Sequence, residues 1–261
     1  MTVLHEPVDG AVRAFFAAIG RTARLVGAAL AGFPAVLTRR DCRHTFARQL
    51  FIVGIGTLAV ATVVALFTGM ILSLQLGIAF RQLSLEGMVS TTMSYAMLRE
   101  MGPFMTGIIL AACVGSAMAA QLGTMTVNDE IAALEMMSVD PVRFLVVPRL
   151  WAMTLMAPIL SFYTCILAFL GGALVGYTQL NIPFLQFIQG VLDAAEMKDL
   201  YVGLLKAAVF GILVSGISCS VGFATTQGAA GVGASTRRAV IYSFLAILIG
   251  GYFITRCFYV L

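Results

Sequence analysis

The chain has 261 residues, of which 60% are hydrophobic and 11% charged, with a net charge of +4. Soluble domains carry roughly 25% charged residues, so an ordinary soluble domain is excluded. Several uncharged runs exceed the roughly 20 residues a helix needs to cross a bilayer, and the chain reads as an all-α polytopic membrane protein.

The start, MTVLHEPVDGAVRAFF, carries charges on both sides of Pro7 and no compact apolar core before a cleavage motif. No cleaved signal peptide is expected. From Ala11 to Leu37, Val12, Phe15, Phe16, Ile19, Val26 and Leu30 share one helical face, with Arg13, Arg21 and Arg24 on the other. Such a basic amphipathic helix lies in the membrane interface. As a crossing it would place three arginines in hydrocarbon at about 2.5–3.5 kcal/mol each. Residues 1–49 thus read as a cytoplasmic N-terminal segment with an interfacial helix, and 50–261 as the transmembrane domain.

Leu50 to Phe80 is free of charge and holds the first crossing. Met70, Leu74 and Ile78 recur there at i, i+4 and i+8, with Gln75 adjacent. They suit either ordinary packing or a lipid path with Gln75 as a head-group contact. The second crossing, Met88 to about Gly123, is interrupted only by Arg99 and Glu100. That intramembrane pair lies about 17 Å into the span at 1.5 Å per residue, where both charges must face protein or a wet cavity. Adjacent residues point about 100° apart on a helix, so each is expected to find its own partner. Pro103 leaves the Arg99 carbonyl without a helical donor, and a kink is expected there. Small residues recur every fourth position at Gly107, Ala111, Gly115, Ala119 and Gly123, and again at Gly203, Ala207, Gly211 and Ser215. These are packing seams, within one subunit or between two.

A short acidic segment follows, at about residues 124–141. Val127, Ile131 and Leu134 form one apolar stripe at i, i+4 and i+7. Asp129, Glu130, Glu135 and Asp140 supply charge, and Pro141 stops the helix by disfavouring a helical Asp140. An apolar ridge with acidic flanks suits docking in a groove on another protein. The third span begins at Leu150, and GGALVGYTQLNIP carries the turn chemistry that ends it. A polar loop with Asp193, Glu196, Lys198 and Asp199 precedes a fourth span, Tyr201 to Ala224. The Gly-rich stretch Thr225 to Arg238 reads as a loop, and Ala239 to Leu261 as the fifth span. Arg39, Arg40, Arg43, Arg48, Arg143, Arg149, Arg237 and Arg238 all fall at alternate ends. The positive-inside rule then puts the N-terminus in the cytoplasm.

Cys42, Cys113, Cys165, Cys219 and Cys257 are scattered singly, without metal or redox spacing. No GxxxxGK[ST] occurs, so ATP hydrolysis is not expected in this chain.

The stretch VGSAMAAQLGTMTVNDEIAALEMMSVDPVRFLVVPRLWAM (Val114 to Met153) resembles the signature of the MlaE family of lipid ABC-transporter permeases. LREMGP (Leu98 to Pro103) and GAAGVGASTRRAV (Gly228 to Val240) resemble two more family motifs in the same order, and the resemblance covers roughly Leu50 to Leu261. It implies a homodimeric permease of the bacterial inner membrane with a cytoplasmic ABC ATPase dimer and a periplasmic MCE-domain protein. In some members a STAS-domain protein is added. It implies phospholipid as the substrate, moved between inner and outer membrane, and a cytoplasmic coupling helix around Asp129 to Asp140 seated in the ATPase. ATP would be used by the partner, with no cofactor on this chain and no nucleic acid. The chain departs from the pattern at Cys113 and Gln121, where the family commonly has Arg and Glu, and at Ala230 and Ala234. Losing both members of a possible ion pair costs less than losing one.

Two other classes fit less of the chain. A proton- or ion-coupled secondary transporter would use Arg99 and Glu100, but a relay needs a second acid or histidine deep in another span. A membrane enzyme would need a nucleophile–base set or metal ligands, and the spans contain no histidine.

Overall fold

The computed structural model describes residues 6–32, 40–82, 85 and 87–259. The side chains of Val12, Arg13, Phe15 and Phe16, together with Leu37, Arg39 and Leu261, lie outside the described residues. Among the described residues there are eight helices and no strand. They are α1 (Glu6–Ala31), α2 (Arg40–Arg81), α3 (Met88–Val127), α4 (Glu130–Met136), α5 (Val142–Gln179), α6 (Phe184–Ala194), α7 (Met197–Phe223) and α8 (Gly228–Tyr259). Helices α2, α3, α5, α7 and α8 are each long and apolar enough to cross a membrane. The five expected crossings are present, and the chain is a multi-pass membrane protein.

One apolar cluster holds the bundle together and takes a residue from every span: Val53, Leu110, Met153, Phe210 and Ile247. Burying a side chain of this size stabilises by about 1.5–3 kcal/mol in water. In lipid the gain comes from close packing instead. The tightest approach is between α2 and α5. A Cβ on Gly69 would strike the Ala168 carbonyl, and one on Gly171 the Leu66 carbonyl. Ser73 Oγ donates to the Gly172 carbonyl at 3.0 Å in the same seam. The small-residue ladders also close inside the subunit. Gly115 faces Ser218 and Val214, while Gly211 faces the Met153 carbonyl and Gly203 the Leu98 carbonyl.

Several features differ from the sequence reading, and α2 and α5 begin earlier than expected, at Arg40 and Val142. The stretch Thr225 to Arg238 is a loop only as far as Gln227, and α8 begins at Gly228. The turn is made by left-handed Gln227 and Gly228. The small residues that follow let the new helix press against α3 and α7, where Thr225 Oγ1 donates to Ser235 Oγ at 2.8 Å. The stretch after α5 contains a further helix, α6, which buries Phe187, Val191 and Ala194 at i, i+4 and i+7. Its Val191 carbonyl accepts from Ser94 Oγ of α3 at 3.0 Å. The face of α1 is also rotated from the expected one. Val26 abuts Gly216, Thr22 bonds Ser220 at 2.9 Å, and Ala29 is buried with its carbonyl bonded by Trp151. Ile19 and Leu30 remain exposed, and so do Arg21 and Arg24. Protein thus takes one side of α1 and leaves an apolar and basic surface outside.

Helix α1, the start of α2, helix α4 and the α7–α8 turn lie at one end of the bundle. Helix α6 and the start of α7 lie at the other.

Candidate functional site

The acidic segment folds as a tight hairpin between α3 and α5. Helix α3 continues through Thr124 and Val127 and stops where Asp129 adopts a left-handed conformation, φ 57°. The expected single helix over 124–141 is therefore split, and α4 keeps only seven residues. It ends with Ser138 left-handed, φ 59°. Ser138 N donates to Glu135 O, and Val139 N to Leu134 O, at 2.9 and 3.0 Å. This is the paired-bond arrangement that satisfies the last carbonyls of a helix. Asp140 then starts α5. Its Oδ1 accepts from Val142 N at 2.9 Å, with Pro141 at the first helical position. The helix thus stops before Asp140, whose carboxylate serves as a cap.

The stripe expected to face a partner is partly taken up inside the chain. Leu134 packs against the chain's own cluster of Leu122, Leu145, Val146 and Leu150, and Val127, Ile131 and Leu134 are half-buried. Asp129, Glu130 and Glu135 are exposed. The outward apolar groups are Met136, 82% exposed, and Met137, 65% exposed. An acidic tip with two flexible methionines is the surface this hairpin offers.

Near the opposite end a charged cluster joins α3, α7 and α8. The Lys206 side chain is fully buried and all three of its protons are used. Nζ donates to Glu100 Oε1 and to the Arg99 carbonyl at 2.7 Å each, and to Thr255 Oγ1 at 2.8 Å. Thr255 also bonds Glu100. Arg99 forms an ion pair with the fully buried Asp199, Nε to Oδ2 at 2.8 Å. Its guanidinium is sandwiched between the Tyr95 and Tyr259 rings, 4.5 and 4.7 Å from their centroids. Tyr259 donates to the other Asp199 oxygen at 2.7 Å. Arg99 and Glu100 therefore pair with α7 and not with each other. The helix accommodates Pro103 by a π-helical turn at Met97–Met101. Asp199, Lys206, Tyr259 and Thr255 are the members that sequence reasoning missed. The available signal was spacing: Asp199, Gly203 and Lys206 fall at i, i+4 and i+7, on the face of the small-residue ladder.

On α2, Met70 and Leu74 are half-buried while Gln75 and Ile78 are exposed. They continue an outward apolar face with Phe67 and Ile71. Of the departures from the motif, Cys113 is exposed on α3. Gln121 does not meet it, because Gln121 Oε1 accepts from Arg149 Nη2 of α5 at 3.2 Å. Ala230 is exposed and Ala234 half-buried at the start of α8. A groove of about 540 Å³ runs beside this region, lined by Gln49 and Ile52 of α2 and by Met118, Gln121 and Thr124 of α3. Among the described residues no three His, Cys, Asp or Glu side chains come together as metal ligands.

Residues 46–257 match the family model described as permease MlaE. The chain is similar to a probable ABC transporter permease protein of Rickettsia typhi, 37% identical over 80% of this chain and 81% of that protein. It is similar to the intermembrane phospholipid transport system permease protein MlaE of Haemophilus influenzae, 30% identical over 90% of this chain and 89% of that protein. The chloroplastic protein trigalactosyldiacylglycerol 1 of Arabidopsis thaliana is 32% identical over 81% of this chain and 61% of its own length.

Proposed function

The chain belongs to the MlaE permease family, and from that premise we propose that it moves phospholipids between the inner and outer membranes of a bacterium. It is an ABC transporter permease, and the observation that carries the reading is the match across all five spans and the hairpin between α3 and α5.

In this reading the chain sits in the inner membrane with its N-terminus in the cytoplasm. Two copies form the lipid-conducting unit, and a separate ABC ATPase dimer binds the hairpin at Glu130, Glu135, Met136 and Met137. A periplasmic MCE-domain protein receives or delivers lipid, and a STAS-domain protein can join on the ATPase. The chain binds no cofactor, and ATP is consumed by the partner. The hairpin geometry supports this assembly. A short helix held at both ends by spans transmits a push from outside the membrane to α3 and α5 together. The outward face of α2 at Gln75 and Ile78, flanked by Met70 and Leu74, is the surface offered to lipid chains.

The charged cluster does not favour a proton-coupled carrier. Every polar partner of Lys206 is fixed by a short bond, and such a closed network holds helices together. Affinity purification of the full chain from its native membrane tests the proposal. An ABC ATPase and an MCE-domain protein should co-purify with it. Recovery of the chain with neither would contradict the assembly.

A further inference from the structure

Among the described residues Arg149 and Lys206 are the buried cations, and Arg149 is paired quite differently from Lys206. Only 6% of it is exposed. Its Nη1 donates to the Leu145 carbonyl at 3.2 Å, inside the π-helical turn Val142–Val146 that opens α5. Its Nη2 donates to Gln121 Oε1, also at 3.2 Å. Nε is buried without a partner, and no acid stands within ion-pair distance among the described residues. A buried charge held only by long bonds to neutral oxygens is weakly secured for its position.

The placement gives this weak bond a role. Gln121 lies six residues before the end of α3 and Arg149 seven residues after the start of α5. The hairpin containing α4 is everything between those ends. Along this stretch α3 and α5 both pack on α7, through Leu122 against Gly222 and through the cluster around Cys219. Among the described residues, the Arg149–Gln121 bond is a side-chain hydrogen bond that crosses directly from one hairpin leg to the other, beside the apolar cluster that Leu122 shares with Leu145 and Leu150. Gln121 is exposed to the groove, so it is free to swing away when the bond breaks.

We infer that Gln121 and Arg149 form a breakable joint across the base of the hairpin. They act as positioning residues that set how far α3 and α5 part when the hairpin is pushed. The link to transport rests on the permease reading above, whereas the joint itself is a property of this chain alone.

Hydrogen exchange on the full chain in lipid nanodiscs tests it without any partner. In Gln121→Met the acceptor is gone, and amides in residues 128–140 should exchange about tenfold faster, the factor a hydrogen bond to a charged group contributes. In Gln121→Glu the joint becomes an ion pair, and the same amides should slow. Exchange in α7 should stay as in the parent in both variants. Arg149→Met should match Gln121→Met, and if it fails to fold the two Gln121 variants still decide. Unchanged exchange in both, or a shift in the same direction in both, would overturn the joint. With the ATPase bound, Gln121→Glu should transport lipid more slowly while binding the ATPase normally. If exchange behaves as expected but no ATPase binds, the proposed assembly with the ATPase fails and the joint stands.

Discussion

The Lys206 ammonium lies 2.7 Å from the carbonyl oxygen of Arg99. That carbonyl is the one Pro103 cannot serve, because proline has no N–H. A lysine from α7 thus takes the place of a backbone donor in α3, and the same ammonium neutralises Glu100. Helix irregularity and charge are satisfied by one side chain, and this ties α3 to α7 more specifically than the small-residue seam alone.

The burial of the two pairs sets the order of mutational damage. Lys206 and Asp199 are fully buried, while Glu100 and Arg99 are partly exposed. Glu100→Gln leaves a buried ammonium uncompensated, and Arg99→Met leaves a buried carboxylate. Each should destabilise by about 3 kcal/mol. Lys206→Met and Asp199→Asn leave survivors that are only partly buried in the chain, and should cost less. Thermal melting in detergent checks this, and the reverse order would refute it.

Double-mutant cycles should find coupling between Arg99 and Asp199 and between Glu100 and Lys206, of about 0.5–3 kcal/mol. The Arg99–Glu100 cycle should show much less, because the two side chains reach different partners. Strong coupling between those neighbours would mean that they act as one pair.

At the hairpin, Met136→Asp or Met137→Asp should weaken ATPase binding and leave the melting temperature of the permease unchanged. Leu134→Asp should act oppositely, lowering stability first, since Leu134 is packed on the permease's own cluster. Binding measurements beside melting curves separate the two. Full ATPase binding by both methionine variants would move the docking surface elsewhere.

Close helix approach gives a further check. Gly171→Val should abolish folded protein, because its Cβ would meet the Leu66 carbonyl and backbone cannot yield as a side chain does. Gly56→Val, where nothing stands within 4 Å, should be tolerated. Equal yields of both variants by size-exclusion chromatography would contradict the α2–α5 seam.

How much of this was legible in sequence follows physical lines. The five spans are set by long uncharged runs, a signal that tertiary contacts hardly alter. Helix α6 was hidden because its eleven residues are too few to span a membrane, and the acids that follow made the stretch read as a polar loop. The start of α8 was misread because clustered glycines mark loops in water, whereas here Gly231 lies against the Thr226 carbonyl of the turn and Gly233 sits within the helix. Arg99 and Glu100 were visible as costly charges, yet their partners come from α7 and α8, a hundred or more residues away in sequence. The left-handed Asp129 that separates α4 from α3 is a break that periodicity cannot show, and so is the packing of Leu134 on the cluster around Leu145.

The most direct measurement is lipid movement in proteoliposomes containing the purified chain and the ATPase recovered with it. Addition of ATP and magnesium should drive labelled phospholipid between the membrane and an acceptor, and omission of either ATP or the ATPase should stop it. Phospholipid movement by the chain alone under a proton or ion gradient, unaffected by ATP, would contradict the ABC permease function.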